Sequence, residues 1–244
     1  MRIDRLTTLM NRFHLTVRLA DLDRATLVAT TDADGQPLKV MLGKIPADTN
    51  PETVLFSAIA DWGGASNPLV AALPDLIEWD LRKDPETAAL ITLMQAELQA
   101  QRCGVESVVN RLGEVLIVRM LRTQIEAGSA RPGVLAGLSD PRLSRAIVAI
   151  HDRPGHLWRN EDLAQIAGLS LSRFAETFLA TVGEPPAAYL GRWRLTLARQ
   201  DLEKGDRVDA IARRYGYSSP DGFARAFRKH FGTTPITLRP SQVA

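Results

Sequence analysis

The chain has 244 residues, 45% of them hydrophobic and 24% charged, with a formal net charge of +2; this is globular composition, long enough for one large domain or two modest ones, and it excludes a disordered polymer. No apolar run approaches the roughly 18 residues a membrane span needs, and the opening MRIDRLTTLMNRFHL threads charges through its apolar positions, so neither a span nor a secretory leader is expected and the expected compartment is the cytoplasm. A single cysteine, Cys103, excludes an internal disulfide framework and a Cys-rich zinc site.

The opening segment is rich in Thr, Val and Gly and offers short candidate strands at 14–17, 26–31, 38–42 and 54–59, with DADGQP (32–37) as the turn between two of them. A small sheet is expected there. The following SNPLVAALPDLIEWD is broken by two prolines into short pieces. Asp84 and Pro85 then form a cap-and-proline helix start, and Leu90, Ile91, Met94 and Leu98 recur at helical spacing until Gly104. A second helix is expected from Ser107 to about Ala127, with Val108, Val109, Leu112, Val115, Leu116 and Met120 as its apolar positions. Joined by a short loop, the two helices should lie antiparallel; they cover the sheet or leave an apolar face for a second copy of the chain. Gly, Ser and Pro cluster in EAGSARPGVLAG, the expected linker at 126–137.

Charge is unevenly divided at that linker. Residues 138–244 hold 16 Lys and Arg against 11 Asp and Glu, a balance of +5, and the remainder holds 14 against 17, a balance of −3. The basic half is the candidate for a polyanionic partner.

That half contains an internal repeat. AGLSLSRFAETFLATVGEPP (167–186) and YGYSSPDGFARAFRKHFGTTP (215–235) share a Gly turn, a Ser cap, F-A-x-x-F and G-x-x-P, and Phe174, Phe178, Gly183 and Pro186 stand 49 residues before Phe223, Phe227, Gly232 and Pro235. Each copy follows a short amphipathic segment, EDLAQIA or VDAIARRY, whose small Ala164 or Ala212 permits a close helix crossing. Helix, tight Gly turn and capped second helix make a helix-turn-helix unit.

Two Phe at i and i+4 anchor each second helix and leave another side free for a groove. In the second copy the free positions are Pro220, Asp221, Ala224 and Arg225. Arg225 can fork onto guanine O6 and N7, Ser219 caps the helix and Pro220 fixes its first turn, and Arg228 and Lys229 suit the phosphate backbone. In the first copy the free positions are Leu171, Ser172, Ala175 and Glu176, with Arg173 to one side. Glu176 can accept from a cytosine amino group or be neutral to reading. Between the copies, PAAYLGRWRLTLARQDLEKG reads as one helix over 186–204, a rod of roughly 27 Å that sets the two second helices about one duplex turn apart. Arg192, Arg194 and Arg199 on this rod are phosphate candidates or solvated charges.

With both units, the rod and the G-x-x-P endings in register, residues 138–244 resemble the tandem helix-turn-helix domain of AraC/XylS-type transcription regulators. The resemblance implies a bacterial promoter-binding protein, an activator, that inserts helices at about 171–180 and 220–230 into adjacent major grooves of double-stranded DNA and contacts RNA polymerase. Carried over by position, it places base reading on Ser172, Ala175, Glu176, Pro220, Asp221, Ala224 and Arg225, and phosphate contact on Arg173, Arg192, Arg194, Ser219, Arg228 and Lys229. NRFHLTVR, GGASNPLVAALPDLIEWD and VVNRLGEVLIVRMLR are similar to the cupin-like sensor of one subgroup, here shortened by several strands. The expected fold is therefore two-domain: an α+β cupin-like sensor and dimerisation domain over 1–125, then an all-α domain of two helix-turn-helix units joined by a long helix over 138–244.

The residues bear on two other functions. A cupin-type metalloenzyme needs converging His and carboxylate ligands; of the four His, His151, His156 and His230 lie in the basic half and His14 has no H-x-H partner, so no metal or cofactor is expected. His151 and His156 are expected at the surface or as caps. Cys103, beside Arg102 and Gly104, raises a redox-responsive regulator as the alternative. The sequence leaves a small-molecule effector unassigned.

Overall fold

The computed structural model describes residues 4, 6–13, 15–62, 67, 70, 73–128 and 132–238. They divide into two units, Phe13–Arg131 on one hand and Met1–Arg12 with Pro132–Ala244 on the other.

The first unit is built on one antiparallel sheet of β1 (Thr16–Leu19), β2 (Leu27–Thr31), β3 (Pro37–Gly43), β4 (Val54–Asp61) and β5 (Leu76–Asp80), in the order β1-β4-β2-β3-β5. The register stacks Leu27 and Ala29 with Leu42, Val40, Ala58 and Phe56 on one face, all buried. On the other face Val28 and Met41 form a smaller core with Ala25, covered by Leu22, Ile45, Val54 and Leu76. Four strands fall where alternation and turn residues place them. β5 is the addition: after Pro74, Ile77 turns inward while Glu78 meets Lys39 of β3 at 2.8 Å, an alternation only five residues long. His14, and 63–66, 68–69 and 71–72 of the cupin-like motif, lie outside the described residues.

Helices α2 (Pro85–Ala100) and α3 (Val105–Ala127) follow, starting and stopping close to the expected caps. Asp84 accepts from the Thr87 backbone N–H at 3.0 Å, and Arg119 of α3 donates to Asp84 and Glu86 at 3.1 and 2.9 Å, which ties the two helices together. Burial pushes the Asp84 carboxyl up, yet hydrogen bonds from Thr87 and Arg119 leave it below its ordinary value. Helix α3 seats on β1 at Gly113, where a Cβ would meet the Val17 side chain at 2.7 Å. Asn110 Oδ1 accepts from the Val17 N–H at 2.6 Å, so the helix also satisfies an edge-strand donor.

The second unit is helical: α1 (Thr7–Arg12), α4 (Val134–Ser139), α5 (Leu143–Asp152), α6 (Asn160–Ala167), α7 (Leu171–Val182), α8 (Pro186–Glu203), α9 (Val208–Arg214) and α10 (Pro220–Phe231). Helix α1 packs in this unit, with Leu9 fully buried and the Thr8 hydroxyl bonded to the Asp152 carboxylate of α5. Helical turns occupy both ends of 126–137, since α3 runs to Ala127 and α4 begins at Val134. No described helix is long and apolar enough to cross a membrane.

Candidate nucleic-acid interface

Each half of the repeat is made by the same local devices. Gly168 (φ 69°) and Gly216 (φ 72°) leave α6 and α9 through the left-handed region, which lets Leu169 N–H reach Ala164 C=O at 3.0 Å and Tyr217 N–H reach Ala212 C=O at 2.9 Å. Ala164 and Ala212 are both buried at the crossings. Ser170 then accepts from the Arg173 N–H at 3.4 Å and Ser219 from the Gly222 N–H at 3.0 Å, capping α7 and α10. The two helices have twelve residues each and run in register at an offset of 49.

Burial fixes which side of each helix is available. Phe174, Phe178 and Val182 of α7 and Phe223 and Phe227 of α10 are inside. On α7, Ser172, Arg173, Glu176 and Leu179 are exposed and Ala175 is half-buried; on α10, Pro220, Asp221, Arg225, Arg228 and Lys229 are exposed and Ala224 is half-buried. Spacings of three and four put Ser172, Ala175, Glu176 and Leu179 on one side, and Asp221, Ala224, Arg225 and Arg228 on the equivalent side of the other helix. Among the described residues Arg225, Arg228 and Lys229 have no ion pair, whereas Arg173 approaches Glu176 at 3.9 Å.

The arginines of α8, the strut between the two copies, are differently placed. Arg192 donates through Nε to Glu184 at 2.9 Å and stacks over Tyr189 at 5.3 Å. Arg194 donates through Nε to the Pro154 carbonyl at 2.7 Å and through Nη2 to the His156 carbonyl at 2.8 Å. Arg199 pairs with Glu203 at 2.9 Å. The structure thus brings Arg192 and Arg194 to protein acceptors, apart from the exposed cations of α10. The reason is that α8 is packed on several sides, burying Tyr189, Leu190, Trp193, Leu197 and Leu202.

Arg194 also belongs to a junction that the sequence does not announce. The loop it holds contains Gly155, where a Cβ would lie 2.1 Å from the Arg214 carbonyl oxygen, and a Cβ on Gly216 would lie 2.8 Å from the Gly155 carbonyl oxygen. Loop and second-copy turn therefore meet backbone to backbone, and the strut joins them through the Arg194 side chain. Arg214 itself is held by Asp201 and Asp206, and the Tyr215 hydroxyl donates to Asp201 at 2.6 Å.

His151 corrects its expected surface place. It sits on the stripe of Leu143, Ala146, Ile147 and Ile150 and is 1% exposed, with Nε2 2.6 Å from the Tyr189 hydroxyl and its ring 4.2 Å from that of Trp193. Burial, reinforced by the nearby Arg192 charge, pushes its pKa down to about 3, so the imidazole is neutral. Cys103 is free and exposed in the connection between α2 and α3, while neighbouring Arg102 points to Glu97 at 3.4 Å. Along β1, β4 and the start of α3 runs an open groove of about 910 Å³, with Arg18, Arg24, Asp21, Glu106 and Asn110 in its lining.

Comparison with known proteins agrees with this organisation. Residues 5–126 match the family described as cupin, and residues 163–241 match a helix-turn-helix domain family. A Streptomyces antibioticus protein named as an AraC-like transcription regulator is 37% identical over 151 residues, 61% of this chain and 50% of that protein. The HTH-type transcriptional regulator AlkR of Acinetobacter baylyi is 33% identical over 178 residues, 71% of this chain and 58% of its own. A transcriptional regulator structure from Chromobacterium violaceum, with an AraC-type DNA-binding domain, is 28% identical over 43% of this chain and 97% of its own, with a TM-score of 0.40. The chain spans about half the length of the first of these curated relatives. With the cupin family covering half of its length and the tandem helix-turn-helix repeat behind it, the chain belongs to the AraC/XylS-type transcription regulators.

Proposed function

We propose that this chain is a sequence-specific double-stranded DNA-binding regulator, an activator of transcription, that inserts α7 and α10 into adjacent major grooves. One observation carries the reading: two capped helices in register bury their aromatic side in the unit and leave the opposite side to solvent. Ser172, Ala175 and Glu176 on α7 and Pro220, Asp221, Ala224 and Arg225 on α10 face base edges. Arg173, Ser219, Arg228 and Lys229 hold phosphates, which supply affinity without sequence information. Arg192 and Arg194, already paired within the protein, act on the geometry of the two heads. The sheet unit regulates and pairs chains, the exposed Val108 and Val115 of α3 being one seam for a second copy, and activation proceeds through contact with RNA polymerase.

Binding of a labelled duplex across a salt series tests the core of this. Log affinity should fall linearly with log salt, with a slope set by the number of phosphates neutralised. Failure to bind any duplex at low salt contradicts the proposal.

A further inference from the structure

Position for position, α7 and α10 carry opposite chemistry. Where α10 presents Asp221, Ala224, Arg225 and Arg228, α7 presents Ser172, Ala175, Glu176 and Leu179. Leu179 is 48% exposed, and its helix already seats Phe174, Phe178 and Val182 inside, so packing does not account for an isobutyl group on that side. Ala175 lies one turn before it, and the pair forms a small apolar patch bordered by the Glu176 carboxylate. The sole cation of α7, Arg173, leans toward Glu176 at 3.9 Å.

A face with this composition cannot fork onto guanine, whose major-groove edge offers only acceptors. What it matches is the edge that carries a carbon group. Thymine alone presents one, its C5 methyl, and the exocyclic amine of adenine or cytosine is the donor a carboxylate can accept from. Because Ala175 and Glu176 are the positional counterparts of Ala224 and Arg225, which the reading above turns to base edges, and Leu179 lies one turn on from Ala175, the apolar patch occupies the side the second helix turns to DNA rather than a separate docking surface.

The geometry points to Leu179 as a specificity-determining residue: resting on the DNA-reading function proposed above, α7 recognises thymine methyl groups through Leu179 and Ala175. The first head reads hydrocarbon and amine, and the second reads acceptors. A bound site is then composite, one block marked by thymine and the other by guanine.

Deoxyuridine isolates the methyl group, since it keeps every hydrogen-bonding atom of thymine. The full chain is used to select duplexes from a random library, and the block read by α10 is identified as the one that holds the base pair at which the Arg225→Ala protein loses discrimination. Thymines of each block are then replaced by deoxyuridine. In the other block each contacted methyl should be worth about fourfold in affinity, and the Leu179→Ala protein should bind thymine and uracil versions alike. Leu179→Arg, equally exposed and therefore folded, should lose the methyl preference and steepen the salt dependence. Equal binding of both versions by the wild-type chain, a methyl effect that survives Leu179→Ala, or a selected block without thymine overturns the inference while leaving DNA reading intact. Absence of any sequence-dependent binding overturns the reading itself and this inference with it.

Discussion

Glu176 and Arg225 hold the sixth position of two twelve-residue helices that run in register 49 residues apart, and both side chains stand in solvent. A duplicated scaffold thus carries opposite charges at one exposed position. Near a phosphate backbone the acid would oppose association and the guanidinium favour it, so in the proposed complex the two helices divide affinity from specificity differently.

Arg225→Ala should cost about 1–3 kcal/mol at one base pair and leave discrimination elsewhere unchanged, as read from a panel of single-base duplex variants. Lys229→Ala should weaken all duplexes alike and lower the salt slope by about 1. Identical profiles for the two variants would reduce Arg225 to a phosphate contact.

Phe174 and Phe223 are both fully buried at equivalent positions. Truncating either to Ala should destabilise the helical unit by about 3–5 kcal/mol in urea unfolding, since transfer and cavity costs add. Glu176→Gln, by contrast, should leave the unfolding midpoint nearly unmoved.

At the junction of strut, loop and second turn, Gly155→Ala should destabilise by about 1–3 kcal/mol, because the new methyl meets the Arg214 carbonyl oxygen at 2.1 Å and backbone must shift. Arg194→Ala should cost a similar amount by leaving the Pro154 and His156 carbonyls without their charged donor. Lysine should not restore it, since one ammonium cannot reproduce the planar fork. Urea unfolding measures both.

His151 makes stability depend on pH in a definite direction. Its pKa in the folded chain, about 3, lies below the ordinary 6.5, so the unfolded chain binds the proton first. The contribution is complete above pH 6.5 and declines as pH falls toward 3, by roughly 1.4 kcal/mol per pH unit. Unfolding free energies at pH 7 and pH 5 should differ by about 2 kcal/mol more in the wild type than in His151→Phe. An unchanged pH dependence in the variant would show that the imidazole titrates alike in the folded and unfolded chains, contrary to a pKa lowered by burial.

Much of this fold was legible because its signals are local. Asp84 with Pro85, the Ser caps and the 49-residue repeat each act within a turn or two, and α2, α3, α7, α8 and α10 begin within two residues of the expected starts. β5 was missed because its alternation covers five residues and gains its meaning from pairing with β3. His151 was misplaced because a polar residue on an apolar stripe looks exposed until its partner, Tyr189, arrives from 38 residues away. Arg192 and Arg194 looked like free cations for the same reason; carbonyls and a carboxylate from elsewhere in the chain occupy them. Leu179 shares the exposed side of α7 with Ser172 at i+7, a spacing that the sequence itself carries.

The most direct test of two reading heads on one strut is selection of bound duplexes from a random library by the purified full-length chain. The account predicts two blocks of preferred sequence, centred about one duplex turn apart on one face. A single block, or enrichment of nothing above the starting library, would contradict it.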